Sequence, residues 1–352
     1  MSSVVVAEIV PKRLMESAPV SIAAHHFCYK LIDKGVFDDA VALSPIAIKN
    51  KIYPEHSDIK IISIRNFPHR SIFRLFNALI ECISAYFKVS KYNTVWFYNI
   101  NLHTLPLFLL TRYCSKAKPC LILADYTPEA SFFKAQYWIG KAMWQSHAIL
   151  SLSARTEYRK HKRFSVIPGI LEQLHNSSSP KTKTPYVLFS GVLGAVTGIT
   201  LAMEVFARIP HVNLVVTGKD SEEIVSDYAE RYANIEYKGF VPQEEYNQIL
   251  SGAFCCLNFR NPNLPENQNN FPSKMLEYLN HDKLVISTMH YPELEDIPYL
   301  SADYNIESCM NAVQKALEIL HSGKQTEFCS SERIQSLCSP EKWKKTIQRL
   351  SM

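Results

Sequence analysis

The sequence has little glycine and no long apolar run. Only ten glycines occur in 352 residues, and none falls in a G-x-G-x-x-G, P-loop or G-x-S-x-G pattern. These absences disfavour a dinucleotide oxidoreductase, a nucleotide kinase and a serine hydrolase. No apolar stretch reaches the ~18–20 residues that a membrane-spanning helix needs.

Paired cysteine motifs and a secretion signal are also missing. The nine cysteines include no C-x-x-C pair, and the N-terminal stretch MSSVVVAEIVPKR lacks the basic start of a signal peptide. We therefore expect reduced thiols, buried as small apolar side chains, in a cytoplasmic protein.

The chain does contain enough apolar residues for two globular domains. Its composition is 47% hydrophobic and 20% charged, which is typical of a folded protein. At about 150 residues per domain, the length favours two domains. The polar stretch LHNSSSPKTKTP is the one clear linker by composition.

Short apolar segments alternate with helical patterns throughout both halves. YVLFSG, NLVVTG, FCCLNF and KLVIST are such segments in the C-terminal half. The alternation predicts an α/β fold with two doubly wound, Rossmann-like parallel sheets. We expect an N-terminal domain at 1–170, a linker at 171–185, a second domain at 186–335, and a C-terminal helix at 336–352 that crosses back to the first domain.

Positive charge is concentrated in the first half. Residues 1–180 hold 22 Lys and Arg against 12 Asp and Glu, whereas residues 181–352 hold 16 against 21. The segment 69–91 places apolar residues at helical spacing between basic flanks, which is typical of a helix lying on an anionic membrane surface. A core-facing helix with a basic rim is the alternative. No nucleic-acid-binding signature is present, so we expect no nucleic-acid partner.

The segment LNFRNPNLPENQNNFPSKMLEY gathers the residues most suited to chemistry. Arg260 follows an apolar strand, and Lys274 lies in the first turn of a helix expected to begin at Pro272. A cation there opposes the helix dipole, which suggests a compensating anion. With the helix amides, both cations would form a diphosphate site. The alternative to a diphosphate site is that Arg260 and Lys274 are ordinary surface residues. Glu277 would accept ribose hydroxyls or pair with Lys274.

FPSKMLEY, set after SGVLG…TG…GFV, resembles the donor half of the retaining GT-B-fold glycosyltransferases, of the family 4 or group 1 type in bacterial polysaccharide biosynthesis. The resemblance is good over about residues 186–290. It implies two Rossmann-like domains facing a central cleft. It also implies sugar transfer from a nucleotide-diphosphate sugar to a glycan or lipid-linked acceptor at the inner face of the cytoplasmic membrane, in lipopolysaccharide or capsule synthesis.

The resemblance also implies roles for individual residues of the second domain. Glu277 matches the second Glu of the E-x7-E element and would hold the ribose, while Arg260 and Lys274 would neutralise the diphosphate. Other donor-binding positions would be Gly191 at the strand end, Ser273 at the helix start, and Phe240 and Val241 at the nucleobase.

The sequence departs from the family pattern at several positions. Asn269 stands where the first Glu of E-x7-E would fall, and we expect Asn269 and Asn270 to hydrogen-bond sugar hydroxyls instead. Val192 and Thr197 replace a frequent Arg and Lys. The diphosphate charge must then come from Arg260 and Lys274, or the chain is catalytically degenerate.

In the first domain, His103 follows one apolar strand and Asp125 ends another. Both are candidates for the sugar or acceptor side of the reaction, although a lone His after a strand is more often structural. No Asp-x-Asp occurs, so we expect no metal site and no cofactor beyond the nucleotide-sugar substrate. A nucleotide-sugar epimerase on the same scaffold, or a degenerate nucleotide-binding homologue, are the alternative functions.

Overall fold

A computed structural model describes residues 2–15, 21–44, 53, 60–63, 74–129, 131–171 and 184–352. The chain divides into two compact units. Unit 1 comprises Met1–Leu171, Asn269–Phe271 and Cys338–Met352, and unit 2 comprises Glu172–Gln268 and Pro272–Leu337.

Unit 1 is built on one parallel sheet. Its described strands are β1 (Ser3–Glu8), β2 (Asp39–Leu43), β3 (Lys60–Ser63), β4 (Thr94–Tyr98), β5 (Lys118–Leu123), β6 (Ile149–Ser151) and β7 (Phe164–Val166). Its helices up to residue 171 are α1 (Ile22–Asp33), α2 (Arg74–Val89), α3 (Leu105–Cys114) and α4 (Ala135–Met143). The strand order is β3-β2-β1-β4-β5-β6-β7. The order therefore reverses between β1 and β4, which is the topological switch point.

Unit 2 repeats this architecture with different lengths. Its described strands are β8 (Tyr186–Val192), β9 (Asn213–Lys219), β10 (Ile235–Tyr237), β11 (Cys255–Asn258), β12 (Leu284–Ser287) and β13 (Leu300–Ser301). Its helices are α5 (Ile199–Arg208), α6 (Glu222–Arg231), α7 (Gln243–Gly252), α8 (Ser273–Asn280), α9 (Ile306–His321) and α10 (Ser331–Leu337). The order β10-β9-β8-β11-β12-β13 places the switch point between β8 and β11.

The last helix, α11 (Pro340–Ser351), belongs to unit 1 by its contacts. Trp343 is fully buried there, donates from Nε1 to the carbonyl of Gly169 at 2.8 Å, and packs edge-to-face on Phe27. At the end of the helix, Lys118 Nζ donates to the carbonyl oxygen of Ser351 at 3.2 Å. The packing of Trp343 therefore fixes the helix within unit 1.

The predicted α/β class with two doubly wound parallel sheets is confirmed, because the paired strands of both units run parallel. The strands are apolar throughout because helices cover both faces: Val4, Val5 and Val6 of β1 are all buried, as are Val187, Leu188 and Phe189 of β8.

Several predicted bounds are wrong by one or two residues. Helix α8 begins at Ser273, since Pro272 keeps an extended backbone with ψ 120° and flanks the helix as its N-cap. Strand β5 ends at Leu123, so Asp125 follows the strand rather than ending it. Of the predicted linker 171–185, residues 172–183 lie outside the described residues.

None of the described helices is both long and apolar enough to cross a bilayer. All nine cysteines lie in described segments and are free thiols, and seven of them are buried.

Candidate functional site

In unit 2, the ends of β8 and β9 approach each other closely through two glycines. Gly191 has φ +123° and Gly218 has φ +153°, conformations that favour glycine. A Cβ on Gly218 would lie 1.8 Å from the carbonyl oxygen of Gly191. At this point of the carboxyl edge of the sheet, the two strands therefore present backbone rather than side chains.

The loop after β8 presses against the end of the neighbouring strand β11. Gly198, with φ +77°, is the N-cap of α5, and a Cβ there would lie 1.5 Å from the carbonyl oxygen of Phe259. Arg260 comes next in the chain. Its Nη1 donates to Oδ1 of the fully buried Asn267 at 2.7 Å, and Asn267 Nδ2 donates to the carbonyl of Val196 at 2.8 Å. Arg260 is thus held beside the loop at the switch point.

Lys274 lies at the same edge. A Cβ on Gly191 would be 3.7 Å from Lys274 Cγ, so the lysine side chain runs across the end of β8. Its Nζ is 2.7 Å from Glu277 Oε2 and 3.9 Å from the centroid of the Tyr246 ring. Glu277 is therefore the anion that offsets the unfavourable position of Lys274 near the helix N-terminus. Of the two roles expected for Glu277, the structure contains the salt bridge with Lys274.

Three further hydroxyl groups complete this cluster. Tyr246 donates to Glu277 Oε2 at 3.0 Å, and Ser190 Oγ lies 3.3 Å from the hydroxyl of Tyr246 and 2.7 Å from that of Tyr278. Burial raises the pKa of Tyr246 and of Tyr278 above the ordinary value, so both phenols remain protonated donors. We call Lys274, Glu277, Tyr246, Ser190 and Tyr278 the unit 2 cluster.

Sequence reasoning missed Ser190, Tyr246 and Tyr278. Tyr278 lies inside the FPSKMLEY motif and Ser190 directly precedes Gly191. Their closeness in sequence to predicted site residues could have identified both. Tyr246 lies on α7, 31 residues before Glu277, and only the tertiary fold brings it to the site.

Phe240 and Val241 follow β10, two strands away from β8. The carbonyl of Gly239 accepts from Gly218 N at 3.0 Å and from Thr217 Oγ1 at 2.8 Å. These two hydrogen bonds hold Gly239 at the edge of the sheet. Of the two residues that follow it, Phe240 is 72% exposed and Val241 is half-buried. An exposed aromatic ring at a carboxyl edge suits stacking on a base.

Ser273, Asn269 and Asn270 are placed differently. Ser273 is exposed as the first residue of α8. Asn269 and Asn270 are buried or half-buried and group with unit 1, where Arg155 Nη2 donates to the carbonyl of Asn270. Asn270 Oδ1 is buried without a hydrogen bond from the described residues. Their predicted contact with the donor sugar stays a prediction.

In unit 1, the corresponding switch point carries His103. Glu8 is the last residue of β1, and His103 Nδ1 contacts its Oε1 while His103 Nε2 lies 3.0 Å from Glu81 Oε2. Asn101 Nδ2 also donates to Glu8. Sequence reasoning proposed His103 but missed Glu8 and Glu81. We call Glu8, Glu81, Asn101 and His103 the unit 1 cluster.

The two carboxyl groups control the charge of His103. Burial lowers its pKa, but hydrogen bonds to Glu8 and Glu81 and their negative charges outweigh burial and raise the pKa to about 9. The ring is therefore an imidazolium at neutral pH. Glu81 is only 1% exposed, and its Oε1 is buried without a hydrogen bond from the described residues.

Asp125 follows the end of the neighbouring strand β5 and is exposed. Its backbone amide is 3.5 Å from Asn99 Oδ1, and Asn99, with φ +54°, also accepts from the amide of Ala124 at 2.9 Å. Asn99 thus ties the ends of β4 and β5 together and sets the path of the chain at Asp125.

Comparison with known proteins identifies the fold. No family profile and no curated protein sequence matches the chain. Sucrose-phosphate synthase from Thermosynechococcus elongatus superposes with a TM-score of 0.72 at 15% identity, over 99% of this chain and 98% of the other. The catalytic domain of starch synthase IV from Arabidopsis thaliana, bound to ADP and acarbose, gives 0.61 at 10% identity, over 99% and 95%.

A third similar structure is described as a UDP-N-acetylglucosamine 2-epimerase from Listeria monocytogenes, with a TM-score of 0.53 at 10% identity, over 94% of this chain and 91% of the other. Sequence identities this low establish the fold alone. The two parallel sheets and the full-length coverage show that this chain has the GT-B fold.

Proposed function

We propose that the protein is a glycosyltransferase that transfers a sugar from a nucleotide-diphosphate sugar to a glycan acceptor. The observation that carries the proposal is the Lys274–Glu277 pair lying against Gly191 at the switch point of unit 2, where open parallel sheets bind their ligands. That starch synthase IV, a protein of the same fold, binds ADP supports a nucleoside diphosphate as the ligand.

The diphosphate would be held by charge and by backbone amides. Lys274 and Arg260 supply positive charge, and the first amides of α8, at Ser273 and Lys274, point towards its N-terminus. As the glycosidic bond to the diphosphate breaks, negative charge grows on the leaving oxygen, and these groups stabilise it without a metal ion. Lys274 Nζ then shares its donors between Glu277 and the phosphate.

Glu277 is arranged to accept ribose hydroxyls. In the described part of the chain, both hydrogen bonds to Glu277 reach Oε2, which leaves Oε1 as an acceptor for the ribose. Tyr246 and Lys274 fix the carboxylate in place. Phe240 and Val241 would then contact the base, two strands further along the same edge.

Unit 1 would act on the sugar and the acceptor. The imidazolium of His103 is not a base at neutral pH, and both of its N–H groups already face Glu8 and Glu81. It would therefore hold Glu8 in position to accept a sugar hydroxyl. Asp125 would receive an acceptor hydroxyl, and Asn269 and Asn270 would bind sugar hydroxyls. We propose retention of the anomeric configuration, as in the family 4 enzymes that the sequence resembles.

A lipid-linked acceptor at the inner membrane face completes the proposal, with a role in surface polysaccharide biosynthesis. Helix α2 exposes Leu79, Ile83 and Phe87 on one stripe, and Lys88 is exposed beside them. Such a stripe with a flanking cation suits an anionic membrane surface. Residues 69–73 of the basic segment lie outside the described residues, as do the side chains of 74–78.

A thermal-shift screen with UDP-, GDP-, dTDP- and ADP-sugars tests the donor. One of these should raise the melting temperature of the wild-type protein, because a ligand that binds the folded state stabilises it. Lys274→Ala should abolish the shift. Lys315→Ala is the matched control, since Lys315 is an exposed lysine on α9, away from the switch point. An unchanged shift in Lys274→Ala rejects the diphosphate site.

A nucleotide-sugar epimerase is the second candidate. The two carboxyl groups around His103 and the likeness to the Listeria protein favour it. Incubating the identified donor with the protein alone distinguishes the two: an epimerised donor indicates the epimerase, whereas slow release of nucleoside diphosphate indicates the transferase. A degenerate homologue would bind the nucleotide and do neither.

A further inference from the structure

Unit 1 contains a basic pocket that the proposed reaction does not use. It has a volume of about 580 Å³, within the range of small-molecule sites. Its positively charged lining residues are Arg112, Lys116, Lys118, Lys160, Lys162 and Arg163. No Asp or Glu occurs among the described residues that line it. We call this the basic pocket.

The basic pocket lies at the edge of the sheet opposite to the unit 1 cluster. Lys118 is the first residue of β5, His147 precedes β6 and Arg163 precedes β7, so the pocket is at the amino ends of these strands. Glu8 and His103 lie at the carboxyl ends of β1 and β4. The pocket is therefore distinct from the switch point at which unit 1 would meet sugar or acceptor.

Helix ends do not account for this much positive charge. Helices α3 and α4 end near the pocket, at Cys114 and Met143, and each helix C-terminus carries roughly half a negative charge. Together they offset about one of the six cations. The remaining positive charge makes the pocket attractive to an anion.

Two histidines fix the position of one of the cations, Arg163. His147 Nε2 accepts from Arg163 Nη1, which orients the guanidinium group. The backbone amide of Arg163 donates to His161 Nδ1 at 3.2 Å, and His161 Nε2 donates to the carbonyl of Ser146 at 3.1 Å. Side chains that are already ordered lose less entropy when they bind a ligand.

The pKa of His147 also reflects the positive charge of the basic pocket. Burial lowers this pKa, and nearby positive charges, among them Arg163, Lys118 and Arg112, lower it further, to about 4. Lys118 Nζ donates to the main-chain oxygen atoms of Ser351 and Met352. An anion in the pocket would reverse this effect on His147.

A buried hydroxyl group gives a second, independent indication of a ligand. Ser146 lines the pocket and is only 5% exposed, and its Oγ has no hydrogen-bond partner anywhere in the described chain. Buried hydroxyl groups normally have a partner. A ligand oxygen at the floor of the pocket would supply one.

We propose that the basic pocket binds a phosphate-bearing anion, such as a diphosphate or the headgroup of an anionic phospholipid. Phosphate oxygens accept the several charge-assisted hydrogen bonds that clustered Lys and Arg donate. The same chemistry is present in a soluble phosphate ester and in a phosphatidyl headgroup, and the experiment below separates the two.

The test is an NMR titration of the full-length protein with labelled histidine, with inorganic pyrophosphate as the probe. Saturating pyrophosphate should raise the pKa of His147 from about 4 towards its ordinary value of 6.5. His211, an exposed histidine in unit 2, serves as the internal reference. Because His147 lies in the basic pocket, pyrophosphate bound at the unit 2 cluster does not produce this signal.

Two triple variants with equal charge show where the anion binds. Lys116→Gln, Lys160→Gln and Lys162→Gln remove three exposed cations that line the pocket, and we expect pyrophosphate binding at His147 to weaken about tenfold or more. The control variant changes three exposed lysines of unit 1 that do not line the pocket: Lys91→Gln, Lys141→Gln and Lys345→Gln. It should bind as the wild type does.

Dihexanoyl-phosphatidylglycerol, kept below its micelle concentration, tests the lipid source against dihexanoyl-phosphatidylcholine. A response of His147 to phosphatidylglycerol at lower concentration than to pyrophosphate assigns the pocket to a headgroup, and the reverse order assigns it to a soluble phosphate. The proposal is overturned if neither anion moves the pKa of His147, or if both triple variants lose binding equally.

Discussion

The two units share a topology but carry different chemistry at the same topological position. In unit 2, Lys274 and Glu277 pair beside Gly191, where β8 ends. In unit 1, His103 lies between Glu8 and Glu81, where β1 ends. The first arrangement offers a lysine and the amides of a helix start to an anion, while the second surrounds one positive charge with two carboxyl groups.

This difference indicates that the fold determines where a ligand binds in each unit, and that the side chains at that place determine which kind of ligand binds. A parallel sheet directs its strand ends and helix N-termini to one edge in both units. Positive charge and backbone amides in unit 2 suit a diphosphate, whereas the unit 1 cluster suits neutral hydroxyl groups, because its acids would repel phosphate. The comparison therefore supports unit 2 as the place of the proposed donor nucleotide.

The largest expected loss of nucleotide affinity comes from adding a side chain at Gly191. Gly191→Ala places a Cβ in a backbone conformation with φ +123°, which L residues rarely adopt, so the end of β8 is strained and its backbone shifts. The Cβ itself would meet Lys274 Cγ only at the ordinary contact distance of 3.7 Å. We expect nucleoside diphosphate affinity to fall about 100-fold, as small displacements of a binding group can do. Calorimetry measures it.

Gly194→Ala is the matched control for that variant. A Cβ at Gly194 meets nothing within 4 Å, and its backbone is not in the left-handed region. If both alanine variants bind the nucleotide with equal affinity, the absence of a side chain at Gly191 has no role in nucleotide binding.

Removing the charge of Glu277 should have the next largest effect. Glu277→Gln keeps the shape of the side chain but replaces a carboxylate acceptor for the ribose, and hydrogen bonds to charged groups contribute about 1.5–3 kcal/mol. We expect the Kd of the nucleoside diphosphate to rise by about 10- to 100-fold. Glu244→Gln, at an exposed position on α7, should leave the Kd unchanged.

The unit 1 cluster can be tested through the titration of His103. NMR should give this ring a pKa of about 9, and Glu81→Gln should lower that pKa towards 6.5. Since the pKa is raised in the folded state, the ion pairs stabilise the protein fully below pH 6.5, and this stabilisation is lost as the pH rises through about 9. A pKa near 6.5 in the wild type would contradict the paired arrangement.

The smallest effect is expected from Tyr246→Phe. The variant loses the hydrogen bond to Glu277 Oε2 but keeps the ring below Lys274 Nζ. A single hydrogen bond contributes about 0.5–1.5 kcal/mol, so nucleotide affinity should fall about 3- to 10-fold. A loss as large as that in Glu277→Gln would mean that the phenol itself touches the ligand.

The sequence predicted the fold because both units alternate apolar strands with helices, and it placed Gly191, Arg260 and Lys274 at strand ends or a helix start. Parallel topology then brings such positions to one edge. It did not predict Tyr246 or Glu81, because each reaches its cluster from a separate helix through tertiary packing. It also placed the start of α8 at Pro272, since the extended backbone of a proline N-cap has no distinct sequence pattern.

The most direct test of the nucleotide site is calorimetry of UDP, GDP, dTDP and ADP with the wild type, Lys274→Ala and Lys315→Ala. The account predicts that at least one of these nucleotides binds the wild type and Lys315→Ala alike, and binds Lys274→Ala at least about tenfold more weakly, as expected when a charged hydrogen bond is lost. Equal binding to all three proteins, or no binding to any of them, would contradict it.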